Sequence, residues 1–309
     1  MYFLRDYQNY RTQTRGCVAT IGNFDGIHLG HQHMINEVKN AAKINSLPSV
    51  IITFEPLPKE FLQTDNMVDR LLTLKEKLSI LERINVDTIL CLRFNNELAN
   101  MSSEDFIKEI LVKKINAKHL IVGDDFHFGK NRTGNTQLLH DASKIYDFKL
   151  TQISTYEIDD DRVSSSRIRK LLKDGDIINA QKLLGRHYEM SGNVIYGDNL
   201  GAKLGFPTAN IKRSRPAILK GVFVVAIKGL ENDLYGVTNV GNRPTVGGIE
   251  NRVETHIFDF NKNIYGAHIR IIFLKKIRDE VRFDSVEQLK EQIEKDILTA
   301  KEYLKKISE

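Results

Sequence analysis

The chain has 309 residues, a formal net charge of +5 and a pI of about 9.0, with 41% hydrophobic and 28% charged residues. This balance is ordinary for a folded globular protein, excludes a disordered or fibrous chain, and leaves no apolar run of membrane-spanning length. Lys and Arg are spread along the sequence without an aromatic–basic recognition motif, so the positive charge fits polyphosphate substrates better than nucleic acid.

The length suggests two domains. The opening segment, Met1 to Arg15, is polar and has no signal-peptide core. The first strand candidate is Cys17–Ile21. It runs into Gly22-Asn23-Phe24-Asp25-Gly26-Ile27-His28-Leu29-Gly30-His31, which opens an amphipathic segment with Met34, Ile35, Val38, Ala41 and Ala42 on one stripe. The pattern predicts a strand, a glycine-bearing turn and a helix start. The first N–H groups of a helix are unpaired and attract anions, and Gly22, Gly26 and Gly30 let a phosphate approach the backbone. His28 and His31, three apart, share a face. The arrangement suits a nucleoside triphosphate. Two other readings stay open at this point: a metal pair with Asp25 as third ligand, and two solvated helix histidines.

Further strand candidates are Ser49–Phe54, Asp87–Leu92, His119–Val122 and Lys149–Ile153, with helical patterns between them. One helix is predicted over Ser103–Lys114, with Phe106, Ile107, Ile110 and Leu111 on one stripe and Ser102 or Ser103 as its cap. The alternation predicts a doubly wound α/β domain whose ligands bind at the carboxyl ends of the strands. Cys17 and Cys91, the chain's two cysteines, lie in apolar runs and read as buried thiols of a reduced, cytoplasmic protein. After the fourth strand comes Gly123-Asp124-Asp125-Phe126-His127-Phe128-Gly129, in which Phe126 and Phe128 are either loop core or a stacking platform. Then Val163-Ser164-Ser165-Ser166-Arg167-Ile168-Arg169 places serines before a helix predicted over Ser165–Lys173. Taken alone it is an ordinary capped surface helix, although arginines there can fork onto phosphate.

A helix over Ile177–Leu184 follows, and beyond Gly185 the character changes. The chain is divided here into 1–185 and 186–309. Strand-like runs at Tyr188–Ile195, Val222–Lys228, Leu234–Val240, Arg252–Phe258 and His268–Leu274, separated by Gly-, Asn- and Pro-bearing turns, predict a small antiparallel barrel. Within it, Leu204-Gly205-Phe206-Pro207-Thr208-Ala209-Asn210 points Thr208 and Asn210 the same way, as hard-cation ligands or as parts of a Pro-anchored turn. The preceding Gly197-Asp198-Asn199-Leu200-Gly201-Ala202-Lys203 offers amides and Lys203 to a phosphate. A final amphipathic helix is predicted over Val286–Leu304, with Leu289, Ile293, Ile297 and Tyr303 on or near one stripe.

The decapeptide ending in His31 resembles the His-x-Gly-His signature of the nucleotidyltransferases. From Val18 to about Lys301 the chain resembles the bacterial bifunctional riboflavin kinase/FAD synthetase family. The resemblance implies a Rossmann-like FMN adenylyltransferase domain followed by a flavokinase barrel with a terminal helix. ATP and Mg²⁺ would serve both halves, riboflavin and FMN would be substrates, and FMN and FAD products. His28 and His31 would stabilise charge on the α-phosphate as pyrophosphate leaves. Gly22, Phe24, Asp25, Gly26 and Gly30 would surround the phosphates. Ser165, Ser166 and Arg169 match a Ser-Ser-Thr-x-Ile-Arg signature that clamps the triphosphate, with Ser166 standing where Thr is usual.

Asp125, Phe126 and Phe128 match the flavin-side segment. Thr53-Phe54-Glu55-Pro56-Leu57-Pro58 is also family-like, but Leu57 replaces a common His and takes no chemistry. Gly-Phe-Pro-Thr-Ala-Asn is the flavokinase signature, in which Thr208 and Asn210 would help hold Mg²⁺, with Gly201 and Lys203 on ATP. Val253-Glu254-Thr255-His256 would supply the catalytic base, Glu254, although bare strand alternation also allows a solvated Glu254. Asn239-Val240-Gly241-Asn242-Arg243-Pro244-Thr245 fits the family too. Arg278, in Leu274–Glu280, would contact flavin or nucleotide, and Phe223 replaces a common Tyr. The resemblance brings in neither nucleic acid nor a membrane as partner. The alternatives are a single-activity member with one half regulatory, a flavin- or nucleotide-binding regulator, or a nucleotidyltransferase for another phosphorylated substrate.

Overall fold

A computed structural model describes residues 1–63, 69–197, 200–213, 215–245 and 248–308. The chain divides into two compact units, Met1–Ser165 and Ser166–Glu309. The division falls one residue into the first of the two short helices that precede the change in sequence character.

The first unit is built on β1 (Tyr2–Arg5), β2 (Cys17–Ile21), β3 (Ser49–Glu55), β4 (Thr88–Arg93), β5 (Ala117–Gly123) and β6 (Lys149–Ile153). They form one sheet of order β1-β4-β3-β2-β5-β6, parallel throughout. Between the strands run α1 (Leu29–Asn45), α2 (Pro58–Leu62), α3 (Leu74–Arg83), α4 (Asn96–Asn100), α5 (Ser103–Asp105) and α6 (Thr136–Tyr146). Every residue of β2 is buried, as a parallel strand covered on both faces requires. The order reverses between β2 and β5, so the crevice of a doubly wound sheet opens over their carboxyl ends. β1 lies in the stretch whose polarity gave no strand signal. It is an edge strand and half-exposed, so burial imposes no apolar pattern on it.

Local signals fix the helix starts. Thr73 and Glu76 form a reciprocal capping box on α3, and Asn135 accepts from the Leu138 N–H at the head of α6. Ser102, not Ser103, caps the predicted 103–114 helix. Only Ser103–Asp105 of that stretch is α-helical; Phe106–Lys114 is a π-helix. With i→i+5 bonding, Phe106, Ile107, Ile110 and Leu111 still lie together in the core. Cys17 and Cys91 are buried free thiols, and burial pushes them up to about 12 and about 11. A tight hairpin of β7 (Glu157–Ile158) and β8 (Asp161–Arg162), turning at Asp159 and Asp160 with φ of 56° and 61°, leads to the unit's end.

The second unit begins with α7 (Ser165–Lys173) and α8 (Ile177–Leu184), the latter closed by Gly185 at φ 67°. Then come β9 (Glu189–Ile195), α9 (Leu200–Lys203), β10 (Thr208–Lys212), β11 (Gly221–Lys228), β12 (Leu234–Thr245), β13 (Gly248–Ile257), β14 (His268–Arg278) and α10 (Val286–Ser308). The six strands close into a barrel of order β10-β13-β12-β11-β14-β9 with antiparallel neighbours. Phe223, Phe273 and Tyr188 pack ring against ring in the core. A Phe at 223 suits that place, because it is fully buried and brings no hydroxyl to satisfy. Ile297, Tyr303 and Leu304 of α10 cover Val224 and Val237 on the outside of the wall.

Candidate active sites

The first site is a turn held from beneath. After β2, the Gly22 N–H bonds to the Ile52 carbonyl and the chain doubles back through Phe24 (φ 46°), Gly26 (φ 90°) and Ile27 (φ 43°). A side chain at Gly26 would lie 2.6 Å from Leu71 Cδ1, so both the dihedral and the space call for glycine there. The Asp25 carboxylate is buried and accepts the Leu71 and Leu72 N–H groups at 3.1–3.3 Å. It ties the turn to the segment ahead of α3. Ser165 Oγ donates to the Asp25 carbonyl at 2.7 Å.

His28 caps α1 with its own ring, Nδ1 accepting the His31 N–H at 3.3 Å. The two rings stack 3.6 Å apart at 18°, and Phe24 meets His31 edge-on. This stacking, with Asp25 held by Leu71 and Leu72, does not converge the three residues on a metal. Among the described residues no group of three or more His, Cys, Asp or Glu is placed to hold one.

A cleft of about 730 Å³ opens over the carboxyl ends of β2 and β5. Gly22, Phe24 and His31 line one side, and Asp125, Phe126 and Phe128 another. Phe126 and Phe128 stack 5.4 Å apart at 15°. Phe128 is buried and also belongs to the core, while Phe126 is half-buried; both readings of this pair therefore hold in part. Asp125 is ion-paired with Arg162. Beside it, burial would raise the Asp124 carboxyl, but the backbone and hydroxyl of Thr155 outweigh that and hold it below the usual range. α7 straddles the division of the chain: Ser165 closes the first unit, and Ser166 (exposed) and Arg169 (half-buried) belong to the second.

Two buried cations beneath this site carry no sequence motif. Lys77, 1% exposed, donates to the Asn23 carbonyl at 2.7 Å and to Thr53 Oγ1 at 3.2 Å. Burial lowers its pKa, against the pull of Asp25. Arg70 makes a two-pronged bond to Glu55 at 2.8 and 3.0 Å and a second pair with Glu60. Burial opposes its charge, and the two carboxylates more than restore it, so its pKa is raised. Thr73-x-x-Glu76 signals the helix that carries Lys77, but helical spacing alone does not mark a lysine as turned inward.

The second site lies on the barrel's outer wall. Thr208 stands opposite His256, and Asn210 opposite Glu254, across β10 and β13; Asn239 of β12 stands opposite Glu254 on the other side. Directly opposed residues share a face, so Asn210, Glu254 and Asn239 form one row across three strands. Thr255 points the other way, buried against Thr238 at 2.8 Å. His256 Nδ1 lies 2.9 Å from the Pro207 carbonyl. A cavity of about 240 Å³ is lined by Gly201, Thr208, Asn239, Glu254, His256 and Arg278, with apolar walls that include Phe206, Val222 and the α10 residues Leu289 and Ile293. Glu254 is half-buried there rather than solvated.

Arg278 is set by a buried partner, Asp296 of α10, through bonds of 2.7–3.1 Å that Gln292 supports from one turn earlier. Of the expected nucleotide and cation residues, Lys203 and Asn210 do not line the cavity; the Asn210 amide lies against Gly197. Asp198 and Asn199, part of the expected phosphate loop, lie outside the described residues, as do the side chains of 242–245.

A switch-point crevice with paired histidines on a helix start, and a barrel wall carrying a carboxylate beside hydroxyl and amide groups, define a two-domain phosphotransfer enzyme of the nucleotide-using class. The comparisons narrow that class. A family model described as FAD synthetase matches residues 10–167, and one described as riboflavin kinase matches 184–304. The chain is 43% identical over 290 residues to a bifunctional riboflavin kinase/FMN adenylyltransferase of Escherichia coli K12, covering 93% of each chain. It is 39% identical to one of Haemophilus influenzae, covering 98% of this chain and 99% of that one.

A crystal structure from Streptococcus pneumoniae, described as a macrolide-efflux protein, superposes with a TM-score of 0.84 at 31% identity over 96% of this chain and 97% of that one. Among the described residues of the present chain, no helix is long and apolar enough to cross a membrane. The chain belongs to the bifunctional riboflavin kinase/FMN adenylyltransferase family.

Proposed function

We propose that this chain phosphorylates riboflavin to FMN in its C-terminal half and adenylylates FMN to FAD in its N-terminal half, the two activities divided at 185/186. The observation that carries the reading is that each half brings part of its own reactive set to one cavity. His31 and the Gly22 turn share a cleft with the Asp125–Phe128 segment, and Glu254 shares one with Thr208 and Arg278.

In the barrel, the ribityl 5′-hydroxyl attacks the γ-phosphorus of ATP. Glu254 takes the hydroxyl proton, the new P–O bond forms, and ADP leaves. Gly201 and Lys203 serve the ATP phosphates, and Arg278, held by Asp296, contacts the flavin or the nucleotide.

The hydroxyl and amide oxygens of Thr208 and Asn210 are hard donors on one strand face, a set that fits Mg²⁺ completed by water and phosphate oxygens. The cation, when bound, neutralises charge on the transferring phosphoryl group.

In the α/β domain, an FMN phosphate oxygen attacks the α-phosphorus of ATP directly and pyrophosphate leaves. His28 and His31 stabilise the charge that builds on the α-phosphate. Gly22, Gly26 and Gly30 allow the phosphates close to the backbone, and Phe24 and Asp25 fix the turn. Phe126 stacks on the flavin, with Asp125 and Phe128 beside it. Ser165, Ser166 and Arg169 keep the triphosphate role that the resemblance gives them. Mg²⁺ serves this half as well. The reading places the enzyme in the cytoplasm, where free buried thiols persist, with neither nucleic acid nor membrane as partner.

The test is an endpoint reaction of the purified protein with riboflavin, ATP and Mg²⁺, resolving riboflavin, FMN and FAD by chromatography, beside a reaction started from FMN. FAD in both, with FMN appearing in the first, is the expected result. FMN alone would reassign the His28/His31 half, and FAD from FMN alone would silence the barrel.

A further inference from the structure

We propose that Asn239 determines substrate specificity at the kinase site, its amide oxygen accepting a hydrogen bond from the ribityl hydroxyl next to the reacting one, the 4′-hydroxyl. The inference rests on the kinase reading of the barrel cavity and gives a role to Asn239, which the sequence shows only as the first residue of the Asn239–Thr245 stretch, with no chemistry attached.

Asn239 Oδ1 is buried and has no hydrogen-bond partner among the described residues. A buried polar atom is nearly always satisfied, and leaving one unsatisfied is costly. This one belongs to a residue that lines the cavity beside Glu254. The register makes Asn239 and Glu254 a directly opposed pair across β12 and β13, so their Cβ atoms stand about 5 Å apart on one face. Whatever meets the Glu254 carboxylate therefore comes within reach of the Asn239 amide.

The nearest wall, Val222, Val237 and Phe206, is apolar, and the cavity's own side-chain donors, Thr208, His256 and Arg278, leave Oδ1 without a bond, which makes the occupant the source of the donor. A polyol chain provides one. With its terminal hydroxyl against Glu254, the neighbouring secondary hydroxyl sits one carbon away, where it can donate to Oδ1. A neutral acceptor in an apolar wall suits a neutral hydroxyl, and a site built to bond a hydroxyl rejects the analogue that lacks it.

The experiment measures kcat/KM for riboflavin and for 4′-deoxyriboflavin with the wild-type chain, Asn239→Ala and Asn239→Ser, at varied Mg²⁺. The wild type is expected to prefer riboflavin roughly tenfold or more. Asn239→Ala should bring riboflavin down to the level of the analogue, with the KM for ATP and the Mg²⁺ requirement unchanged. Asn239→Ser, which retains an acceptor, should recover part of the preference. An unchanged KM for ATP in the kinase reaction reports that the barrel is folded. Full preference retained in Asn239→Ala overturns the assignment. So does a raised Mg²⁺ requirement with the preference intact, which would make Oδ1 a cation ligand. Failure of the wild type to phosphorylate either flavin would instead remove the kinase reading itself.

Discussion

The two sites reach the same kind of chemistry by opposite structural means. After β2 the proposed catalytic histidines follow a turn of left-handed residues, Phe24 and Ile27 among them, and the turn keeps its shape because buried polar groups grip it. Asp25 holds it from one side and Lys77 from below. On the barrel the proposed site row needs no such grip, because ladder pairing and strand alternation set Asn210, Glu254 and Asn239 side by side. A parallel sheet offers its ligand only loops at the strand ends, so placement there costs buried charge. An antiparallel wall offers a regular face, and register alone places the groups.

That contrast can be broken by removing one group from each side. The largest effect is expected for Glu254→Gln, which keeps the shape and removes the base. FMN formation from riboflavin should fall by roughly 10²–10⁴-fold, while FAD formation from supplied FMN continues. Kinase turnover equal to that of the wild type would take the base role from Glu254. Next comes His31→Ala, with FAD formation from FMN expected to fall about 10²–10³-fold and FMN formation from riboflavin preserved. Equal loss of both activities in a folded variant would end the assignment of one reaction to each half.

The contrast sharpens at Arg70, which is held between two carboxylates, whereas Arg278 of the barrel meets one, Asp296. Arg70→Ala leaves the buried Glu60 carboxylate without its cation beside the partly exposed Glu55, at a cost of about 2–4 kcal/mol once solvent around Glu55 is allowed for. Adenylylation should therefore be lost on heating at a clearly lower temperature than in the wild type, with the kinase activity unaffected. Replacing all three residues by neutral ones of similar size should restore part of the loss. If Arg70→Ala melts like the wild type, the grip on the first site lies elsewhere.

The same contrast explains what was legible in the sequence. Apolar runs announced β2 to β6 and five of the six barrel strands, β10 being visible only as the extended segment of the Thr208–Asn210 motif, and glycines with paired histidines announced the first site. Thr208, Glu254 and Arg278 were each visible through a motif, and the fold brings them to one cavity. Three kinds of feature were not legible. Strand β1 is too exposed to carry an apolar pattern. The π-bonding of 106–114 leaves the apolar stripe of an α-helix almost unchanged. Lys77 and Arg70 read as surface charges, because nothing local to them tells of the Asn23 carbonyl or of Glu55, which long stretches of chain separate from them. The Asn239 amide was hidden for a related reason: its significance comes from the strand beside it.

The smallest effect is the most specific to the buried charge. Lys77 is fully buried, and burial lowers its pKa below the ordinary 10.5, with Asp25 and Glu55 pulling the other way and Arg70 pushing the same way as burial. Burial pushes the nearby Cys91 thiol up to about 11. In the unfolded chain Lys77 holds its proton up to about 10.5, and in the folded chain it releases it earlier. Between those two values the unfolded state binds more protons, so the Lys77 contribution to stability rises with pH. The denaturant midpoint of the wild type minus that of Lys77→Met should therefore climb from neutral pH toward 10.5, where other lysines and tyrosines titrate alike in both proteins and cancel. A flat difference would mean that the Asn23 carbonyl, Thr53 and the nearby carboxylates solvate the ammonium as well as water does. The turn would then rest on a cation held at no cost, and the first site would differ from the second only in geometry.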